Sequence, residues 1–531
     1  MVRVKNIKLR YGQNKDNLLN MACKKLKIKP ESVQSWSIFK QSLDVRKKED
    51  IFYIYTLDLK IKNENTVLKY IKNPDVQKAE YTQYEYPKLE NTPKDRPIVV
   101  GFGPAGMFAA LILAQMGLKP IVFERGKNVY DRMKDIQLLM QEGRLNTNSN
   151  IQFGEGGAGT FSDGKLTTRI KNPRCRKVME EFVSHGAPEE IMYVHNPHIG
   201  TDKLVDVVKN IREDIIGLGG EINFNSTVTG IKIESGEVKG VVVNDKESFL
   251  SGNVIIALGH SARDTFEMLY SAGIKMEQKP FAIGARIEHS QEMINKAQYG
   301  KSELAEFFGP AEYKLTYTAS NGRGVYTFCM CPGGYVVPAA SEEEMTAVNG
   351  MSYYSRSGEN ANSALLVQIN TEDFKSEHPL GGVYFQREIE KKAYKLSGGG
   401  YKAPSQRVGD FLGIDNNIEN NVKTTYKPGI TYCNLTEIFP DYVTEAMKEA
   451  IPAMGRKIKG FDSAGAILVA PESRSSSPVR ILRDLKNGES LSAKGLFPSG
   501  EGAGYAGGIM SAAVDGILSA EMVIKRINTI Y

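Results

Sequence analysis

The chain has 531 residues, of which 41% are hydrophobic and 24% are charged. These values predict a soluble protein with more than one domain. Five scattered cysteines argue against a disulfide framework and favour a reducing, cytoplasmic location. The net charge is +6, and residues 1–96 carry 21 basic and 12 acidic side chains, so the basic excess belongs to the N-terminal segment. Residues 1–30 lack an apolar stretch, so we expect no secretory signal peptide.

Residues 1–90 are predicted to form a small α+β domain. Val2 to Leu9 and Ile51 to Ile61 have the pattern of strands, and Asp16 to Leu26 has the pattern of a helix. The resulting order β-α-β-β-α is typical of a ferredoxin-like sandwich. Its lysine excess has two interpretations: attraction of nucleic acid, or the solvated face of an accessory domain. No aromatic-rich RNA-binding motif occurs there, which favours the second.

The stretch from Pro97 to Gly126 has the pattern strand, glycine turn, helix, strand and acid. Gly101, Gly103 and Gly106 form G-x-G-x-x-G after a β-branched run, and Glu124 lies 23 residues after Gly101. Such a turn lets a pyrophosphate approach the backbone at a helix N-terminus, and the acid accepts hydrogen bonds from a ribose. A chance motif and a membrane span are the alternatives. The glycines interrupt the apolar run too early for a transmembrane helix, so we expect a dinucleotide-binding fold.

A second glycine-rich stretch, IQFGEGGAGTFSDGKLTTR, begins at Ile151 and has five glycines within eleven residues. Its backbone N–H groups are expected to wrap a phosphate or an aromatic ring system. A mobile surface loop is the alternative, but the polar side chains among the glycines favour a ligand-binding loop. These side chains belong to Thr160, Ser162, Asp163 and Lys165.

Residues 275–475 combine short strands with frequent turns, which predicts a mostly antiparallel second domain. Cys329 and Cys331 have two interpretations: redox-active thiols beside a cofactor, or small apolar side chains on one face of a strand. Arg474 and Arg480 either clamp a carboxylate or phosphate of the substrate or pair with acids between domains. His195 and His198 have no further metal-ligating residues nearby, so no metal site is predicted.

Residues 495–527 are again predicted to form a strand, a glycine turn and a helix. The turn contains Gly500-Glu501-Gly502, then Gly507 and Gly508 before an amphipathic helix. A glycine turn aimed at a helix N-terminus favours a second anion or dipole site. Tight packing is the alternative.

Together these motifs resemble the FAD-dependent oxidoreductases of the glutathione-reductase-like superfamily. Over nearly the whole chain the sequence is similar to a bacterial group called uncharacterised FAD-dependent dehydrogenases. The strings that carry this resemblance are FGEGGAGTFSDGKL, PHIGTDKL, ALGHSARDT, FCMCPGG, SRSSSPVRI and GEGAGYAGGIMSAAVDG. The superfamily usually has Asp where this chain has Glu501.

The resemblance implies FAD as the cofactor and assigns residues to it. The turn after the first strand is expected to line the pyrophosphate, Glu124 to bind the ribose, and the last glycine motif to hold the ribityl and flavin end. The implied cofactor-binding residues are Gly101, Gly103, Pro104, Ala105, Gly106, Glu124, Arg125, Gly156, Gly157, Gly159, Thr160, Asp163, Gly164, Lys165, Val228, Gly259, Gly500, Glu501, Gly507 and Gly508.

The predicted fold class is α/β, or α+β overall, with a Rossmann-like FAD-binding domain built from separated segments. We expect an accessory domain at 1–90, the first FAD-binding part at 91–274, an inserted substrate or cap domain at 275–480, and the closing part at 481–531.

The implied function is hydride transfer through flavin N5 to or from a small molecule, with NAD(P)H as a candidate donor. Two alternatives stay open. One is a flavoprotein that binds or modifies RNA through its N-terminal domain. The other is a nicotinamide-only dehydrogenase, against which the terminal glycine motif argues, because such an enzyme needs no second glycine site.

Overall fold

The structure is a computed structural model that describes residues 1–81, 83–168, 170, 172–414 and 422–530. It contains one parallel sheet together with antiparallel sheets, which confirms a mixed α/β protein. Among these residues, no helix is both long enough and apolar enough to cross a membrane.

The N-terminal segment folds as one antiparallel sheet with two helices. Its strands and helices are β1 (Val2–Arg10), α1 (Asn17–Leu26), β2 (Val33–Asp44), β3 (Phe52–Ile61), α2 (Glu64–Tyr70) and β4 (Val76–Lys78). The strand order is β2-β3-β1-β4, and apolar side chains of β1, β3 and α1 form a core of their own. The sequence pattern does not predict β4, because three residues carry no periodicity.

The next segment surrounds the first glycine turn and alternates strands with helices. In chain order it contains β5 (Ile98–Val100), α3 (Pro104–Gln115), β6 (Ile121–Phe123), α4 (Val129–Glu142), α5 (Gly157–Thr160), α6 (Pro173–Ser184), α7 (Thr201–Gly217), β7 (Glu221–Asn223), β8 (Val228–Glu234), β9 (Glu237–Val243), β10 (Glu247–Leu250), β11 (Val254–Ile256) and α8 (Arg263–Ser271).

The remaining elements form the cap and the C-terminal end of the chain. They are β12 (Met276–Gln278), β13 (Phe281–Ser290), α9 (Gln291–Tyr299), α10 (Ala305–Phe308), β14 (Thr316–Thr318), β15 (Gly324–Cys331), β16 (Tyr335–Pro338), β17 (Val348–Met351), β18 (Asn360–Ile369), α11 (Gly381–Leu396), β19 (Ala403–Arg407), α12 (Val408–Leu412), β20 (Ile430–Tyr432), α13 (Asp441–Gly455), β21 (Ile467–Glu472), β22 (Val479–Ile481), β23 (Leu496–Pro498) and α14 (Ile509–Ile530).

A parallel sheet of five strands, β23-β11-β5-β6-β7, joins distant parts of the chain. β23, near the C-terminal end, pairs with β11, which pairs with β5, so the last segment closes the sheet that the first glycine turn opens. Helices α3 and α14 pack so closely that a Cβ added at Gly516 would lie 2.0 Å from the carbonyl oxygen of Ala105. The carboxyl ends of these strands therefore meet at one edge, where open α/β sheets bind ligands.

The cap is organised around a sheet of seven strands, β14-β15-β18-β13-β21-β19-β20. All of its pairs are antiparallel except β19 with β20. Two irregularities interrupt the ladders: a bulge in β15 between Phe328 and Cys331, and a second between β13 and β21 at Gly284 and Arg286. Bulges re-aim side chains, and both of these lie beside the site described below.

The polar segment before the first glycine turn is anchored rather than free. The Tyr84 hydroxyl donates to Glu521 at 2.9 Å, the Tyr86 hydroxyl donates to Gln115 at 3.0 Å, and the Glu90 N–H donates to Asn528 at 2.9 Å. The prolines and polar residues of this segment are typical of a linker, because composition carries no information about long-range contacts. The segment instead straps the N-terminal sheet to α3 and α14.

Candidate functional site

Two glycines of the first glycine turn leave no room for a larger residue. Gly101 has φ +94°, and a Cβ there would lie 2.4 Å from the carbonyl oxygen of Ala257. A Cβ at Gly106 would lie 1.9 Å from the carbonyl oxygen of Gly101. The turn thus brings β5 directly into α3, whose first N–H groups have no intrahelical acceptor and favour an anion.

Glu124 connects three backbone segments at the end of β6. Its Oε2 accepts from the Phe102 N–H at 2.8 Å, and its Oε1 accepts from the N–H groups of Gly126 at 2.9 Å and Gly154 at 3.0 Å. A carboxylate has about four lone-pair positions, so one is left for a ribose hydroxyl. Glu124 therefore holds the two glycine-rich stretches together, a role that the sequence pattern does not reveal.

The second glycine-rich stretch is held by a buried arginine. Arg132 of α4 has no exposed surface and donates to the carbonyl oxygens of Asn150 at 2.8 Å, Ile151 at 2.9 Å and Glu155 at 2.7 Å. Burial lowers the pKa of Arg132 to about 9, which leaves it charged at neutral pH. The stretch is thus a fixed wall, and the sequence gives no local signal for Arg132 because it sits in an ordinary helix.

The backbones of the two glycine-rich stretches touch. A Cβ at Gly157 would lie 2.9 Å from Gly103 Cα, so a narrow cradle of main chain forms between them. Gly156 and Thr160, which the resemblance assigns to the cofactor, pack against each other behind this cradle and do not line the cleft. Gly106 likewise serves the packing of α3 on β5.

The C-terminal glycine motif divides in a similar way. Glu501 and Gly508 line the cleft, whereas Gly500 and Gly507 do not. Gly500 packs against Ala105, and its N–H donates to Asp515 at 2.7 Å. Burial raises the pKa of Glu501 to about 7, against the opposing effects of the Gly508 N–H and of Lys279.

The cap contributes Cys329 and Cys331 to the same cleft. The bulge in β15 gives Cys329 a φ of +41° and exposes it to the cleft, while Cys331 is buried. The bulge therefore contradicts the part of the second interpretation that places both on one face of a regular strand, although both cysteines line the cleft. The protein packed around them raises the pKa of the Cys329 thiol to about 12 and that of Cys331 to about 11, with Arg286 opposing the rise. Both are free thiols, protonated at neutral pH.

Arg474 and Arg480 have different surroundings. Arg480 pairs with Glu277 at the surface, at 3.2 Å, and does not line the cleft. Arg474 lines the cleft but gives two hydrogen bonds to Glu390, at 2.9 and 2.7 Å. Both therefore pair with acids, as in the second sequence interpretation, but each acid lies within residues 275–480 rather than in another predicted domain. Glu390 also accepts from Arg263 at 2.7 Å and has no exposed surface.

These groups line one cleft of about 1530 Å³, its open mouth included, between the edge of the parallel sheet and the cap. The predicted site residues that meet there are Gly101, Gly103, Pro104, Ala105, Glu124, Arg125, Gly157, Gly159, Asp163, Gly164, Lys165, Val228, Gly259, Cys329, Cys331, Arg474, Glu501 and Gly508.

The residues of the cleft fit FAD. Gln152 lines the cleft at 7% exposure; its Oε1 accepts from the Ser261 hydroxyl at 3.2 Å, while its Nε2 has no partner within the part of the chain that the structure describes. A buried donor without an acceptor is costly, so an acceptor on a ligand is expected. Together with the main-chain cradle at Gly103 and Gly157, this suits a long anionic dinucleotide.

Comparison with known proteins places the chain in a family. An uncharacterised protein of Clostridium beijerinckii is 48% identical to it over 530 residues, with 99% of each chain covered. The two chains belong to one family. Residues 280–475 match the family described as FAD-dependent protein, C-terminal domain-like, and residues 1–60 match a domain of unknown function. The cap is therefore similar to a domain family described for FAD-dependent proteins, which supports FAD as the cofactor. Assignment to the glutathione-reductase-like superfamily stays a prediction.

Solved flavoproteins share similarity with this chain at low identity. CtdE in complex with FAD is 14% identical, covering 82% of this chain and 88% of its own, with a TM-score of 0.30. Glycerol-3-phosphate dehydrogenase from Bacillus halodurans, complexed with FAD, is 10% identical over 83% and 66%, at 0.35. The flavin-dependent brominase Bmp2 is 13% identical over 82% and 79%, at 0.38. Scores this low carry no argument about the function of the chain.

Proposed function

We propose that this protein is an FAD-dependent oxidoreductase that transfers a hydride between FAD and a small-molecule substrate. The observation that carries the proposal is the single cleft with two unlike walls. One wall consists of glycine turns and a carboxylate that suit a dinucleotide, and the other consists of polar and aromatic cap residues. A nicotinamide-only dehydrogenase leaves the C-terminal Glu501 and Gly508 in this cleft without a role.

The protein's own residues supply the binding and the electrostatics. The turn from Gly101 to Gly106 and the N-terminus of α3 would hold the pyrophosphate, and the free position on Glu124 would accept a ribose hydroxyl. Gly508 immediately precedes α14. The positive end of the helix dipole at this N-terminus stabilises a negative charge that develops nearby. When bound, FAD supplies the acceptor and donor chemistry for a hydride, while the chain positions the substrate and excludes water.

The electron donor is a second part of the proposal. The sequence has one dinucleotide fingerprint, at Gly101, and it belongs to the proposed FAD site. A reduced nicotinamide would therefore have to enter the cleft from its cap side, without a Rossmann unit of its own. This predicts that NAD(P)H competes with the substrate for the same wall.

The test is an anaerobic reduction of the purified full chain, followed by flavin absorbance. We expect the flavin to be bleached by dithionite and by NADH, NADPH or another small donor, and to recover its colour with an acceptor. A chain that takes up no FAD after refolding in excess FAD contradicts the proposal. Competition is tested by adding oxidised nicotinamide during reduction.

A further inference from the structure

A buried ion pair supports the cap wall, which we define as the cap residues that line the cleft: Phe328, Cys329, Cys331, Asn349, Gly350, Glu472, Arg474 and Ser475. Arg286 of β13 has no exposed surface, and its guanidinium donates to five acceptors. These are Asn362 Oδ1 at 2.7 Å, Glu472 Oε2 at 2.9 Å, Asn349 Oδ1 at 3.3 Å, the Cys329 carbonyl oxygen at 2.5 Å and Cys331 Sγ at 3.7 Å. A guanidinium has five N–H groups. Arg286 therefore has no donor left for a substrate.

Glu472, the acidic partner of this pair, still has a carboxylate oxygen that can accept a hydrogen bond. It ends β21 at the bulge opposite Gly284, is 4% exposed and lines the cleft. Its Oε2 accepts from Arg286, while no described residue donates to its Oε1. This oxygen is not enclosed by protein but is open to the cleft, where a donor on a ligand can bond to it.

The charges of the cleft restrict what that ligand is. The described cations that line it are all paired: Arg125 with Asp264 at 2.9 Å, Lys165 with Glu312 at 3.7 Å, and Arg474 with Glu390 at 2.7 Å. Arg286 already neutralises Glu472, so this wall has no unpaired described cation that could compensate the charge of an anionic substrate. A neutral donor adds no charge to the wall.

The same wall offers an apolar surface. The side chain of Phe328 precedes the bulge in β15, is 39% exposed and lines the cleft. An aromatic ring in this position packs against the apolar body of a ligand. The wall therefore combines one hydrogen-bond acceptor with one exposed ring.

We propose that this cap wall is the substrate site, and that Glu472 Oε1 accepts a hydrogen bond from the hydroxyl or N–H group of a neutral substrate whose apolar part packs on Phe328. The site selects against carboxylate substrates. This inference rests on the proposed oxidoreductase function. Burial also raises the pKa of Glu472 while Arg286 opposes the rise, which makes the carboxylate a stronger base than an exposed one.

The experiment compares two probes of equal size, benzyl alcohol and benzoate, by saturation-transfer difference NMR on the FAD-loaded full chain at neutral pH. We expect benzyl alcohol to bind at least about tenfold more tightly than benzoate, since desolvation of a carboxylate without an unpaired cation costs at least that factor. Equal binding of the two probes, or tighter binding of benzoate, overturns the inference without any variant.

Variants assign the selectivity to Glu472. In E472Q we expect the preference for benzyl alcohol to disappear, because the Arg286 charge is then unpaired and compensates the charge of benzoate. The matched control is E388Q, on the exposed face of α11, where Glu388 pairs with Lys392; its preference should equal that of the wild type. A folded E472Q that still rejects benzoate overturns the inference.

E472Q leaves the buried Arg286 charge without its acid and puts folding at risk. F328A avoids this problem, because the ring is exposed to the cleft. We expect F328A to bind benzyl alcohol more weakly and still to reject benzoate; unchanged binding of benzyl alcohol overturns the inference. FAD content and bleaching, measured on the same samples, separate the two proposals: a colourless chain contradicts the oxidoreductase, whereas a reducible chain that accepts benzoate contradicts only the substrate site.

Discussion

The two walls of the cleft are built by different physical means. The wall toward the parallel sheet consists of main chain brought close by glycines, as at Gly101 and Gly157. The wall toward the cap consists of buried side chains that neutralise one another, such as Arg286 with Glu472. A larger side chain is therefore expected to disrupt the first wall. Loss of one partner of an ion pair is expected to destabilise the second.

The largest effect is expected for Gly101→Ala. The new Cβ would lie 2.4 Å from a carbonyl oxygen, at a φ of +94°, so backbone must move at the centre of the cradle. Overpacking costs about 1–3 kcal/mol or more, and the displaced turn no longer suits the pyrophosphate. We expect the purified variant to contain little or no FAD, measured per chain after denaturation.

Gly117→Ala is the matched control. Gly117 has φ +78° but nothing within 4 Å of its added Cβ, so only the left-handed backbone penalty of about 1–2 kcal/mol applies. This variant should keep its full FAD content. Loss of FAD from both variants would mean that the clash at Gly101 is not the cause of FAD loss in Gly101→Ala.

A smaller effect on the cofactor, but a large one on stability, is expected for Glu390→Gln. The carboxylate is buried between Arg263 and Arg474, and removal of one member of a buried pair costs about 3–5 kcal/mol. Urea unfolding of the apoprotein measures this cost. E388Q, two residues away and exposed, should cost at most about 1 kcal/mol. Equal midpoints for the two variants would contradict the account of the cap wall.

The pH dependence of stability isolates Glu501. Burial raises its pKa to about 7 in the folded chain, from 4.5. The folded state then holds a proton that the unfolded state has lost, so this carboxyl makes the apoprotein less stable as pH rises from about 4.5 to 7. Thermal unfolding at pH 5 and pH 7 should show this fall, and E501Q should show a smaller one. A variant with the wild-type slope would exclude Glu501 as the cause.

The smallest effect is expected for Cys329→Ser. The thiol has a pKa raised to about 12, and the thiolate rather than the thiol is the reactive form. We expect unchanged FAD content and an unchanged rate of flavin reduction by dithionite and by any donor found. Loss of turnover with full FAD content would instead favour the redox-active interpretation of Cys329 and Cys331.

The glycine wall was readable from the sequence because its constraints are local. G-x-G-x-x-G after a β-branched run predicts both the turn and its close backbone contacts. In the structure, Gly101 and Gly103 line the cleft. Density of glycine alone is less informative, since some glycines serve packing. The assigned residues that lie outside the lining are Gly106, Gly156, Thr160, Gly500, Gly507 and Arg480.

The ion pairs of the cap wall could not be predicted from the sequence, because they join residues far apart in the chain. Arg286 meets Glu472, and Arg263 meets Glu390, across more than a hundred residues each. An isolated arginine or glutamate in a strand or helix carries no local signal of burial. The bulge that exposes Cys329 likewise has no sequence signature. The interpretation that residues 1–96 bind RNA stays a prediction.

We propose that three glycine-rich segments, brought together from distant parts of the chain, hold FAD. The most direct measurement is the FAD content of the purified full chain, released by denaturation and counted per chain. We predict one FAD per chain, with a visible flavin spectrum. A chain that stays colourless after refolding with excess FAD would contradict the claim.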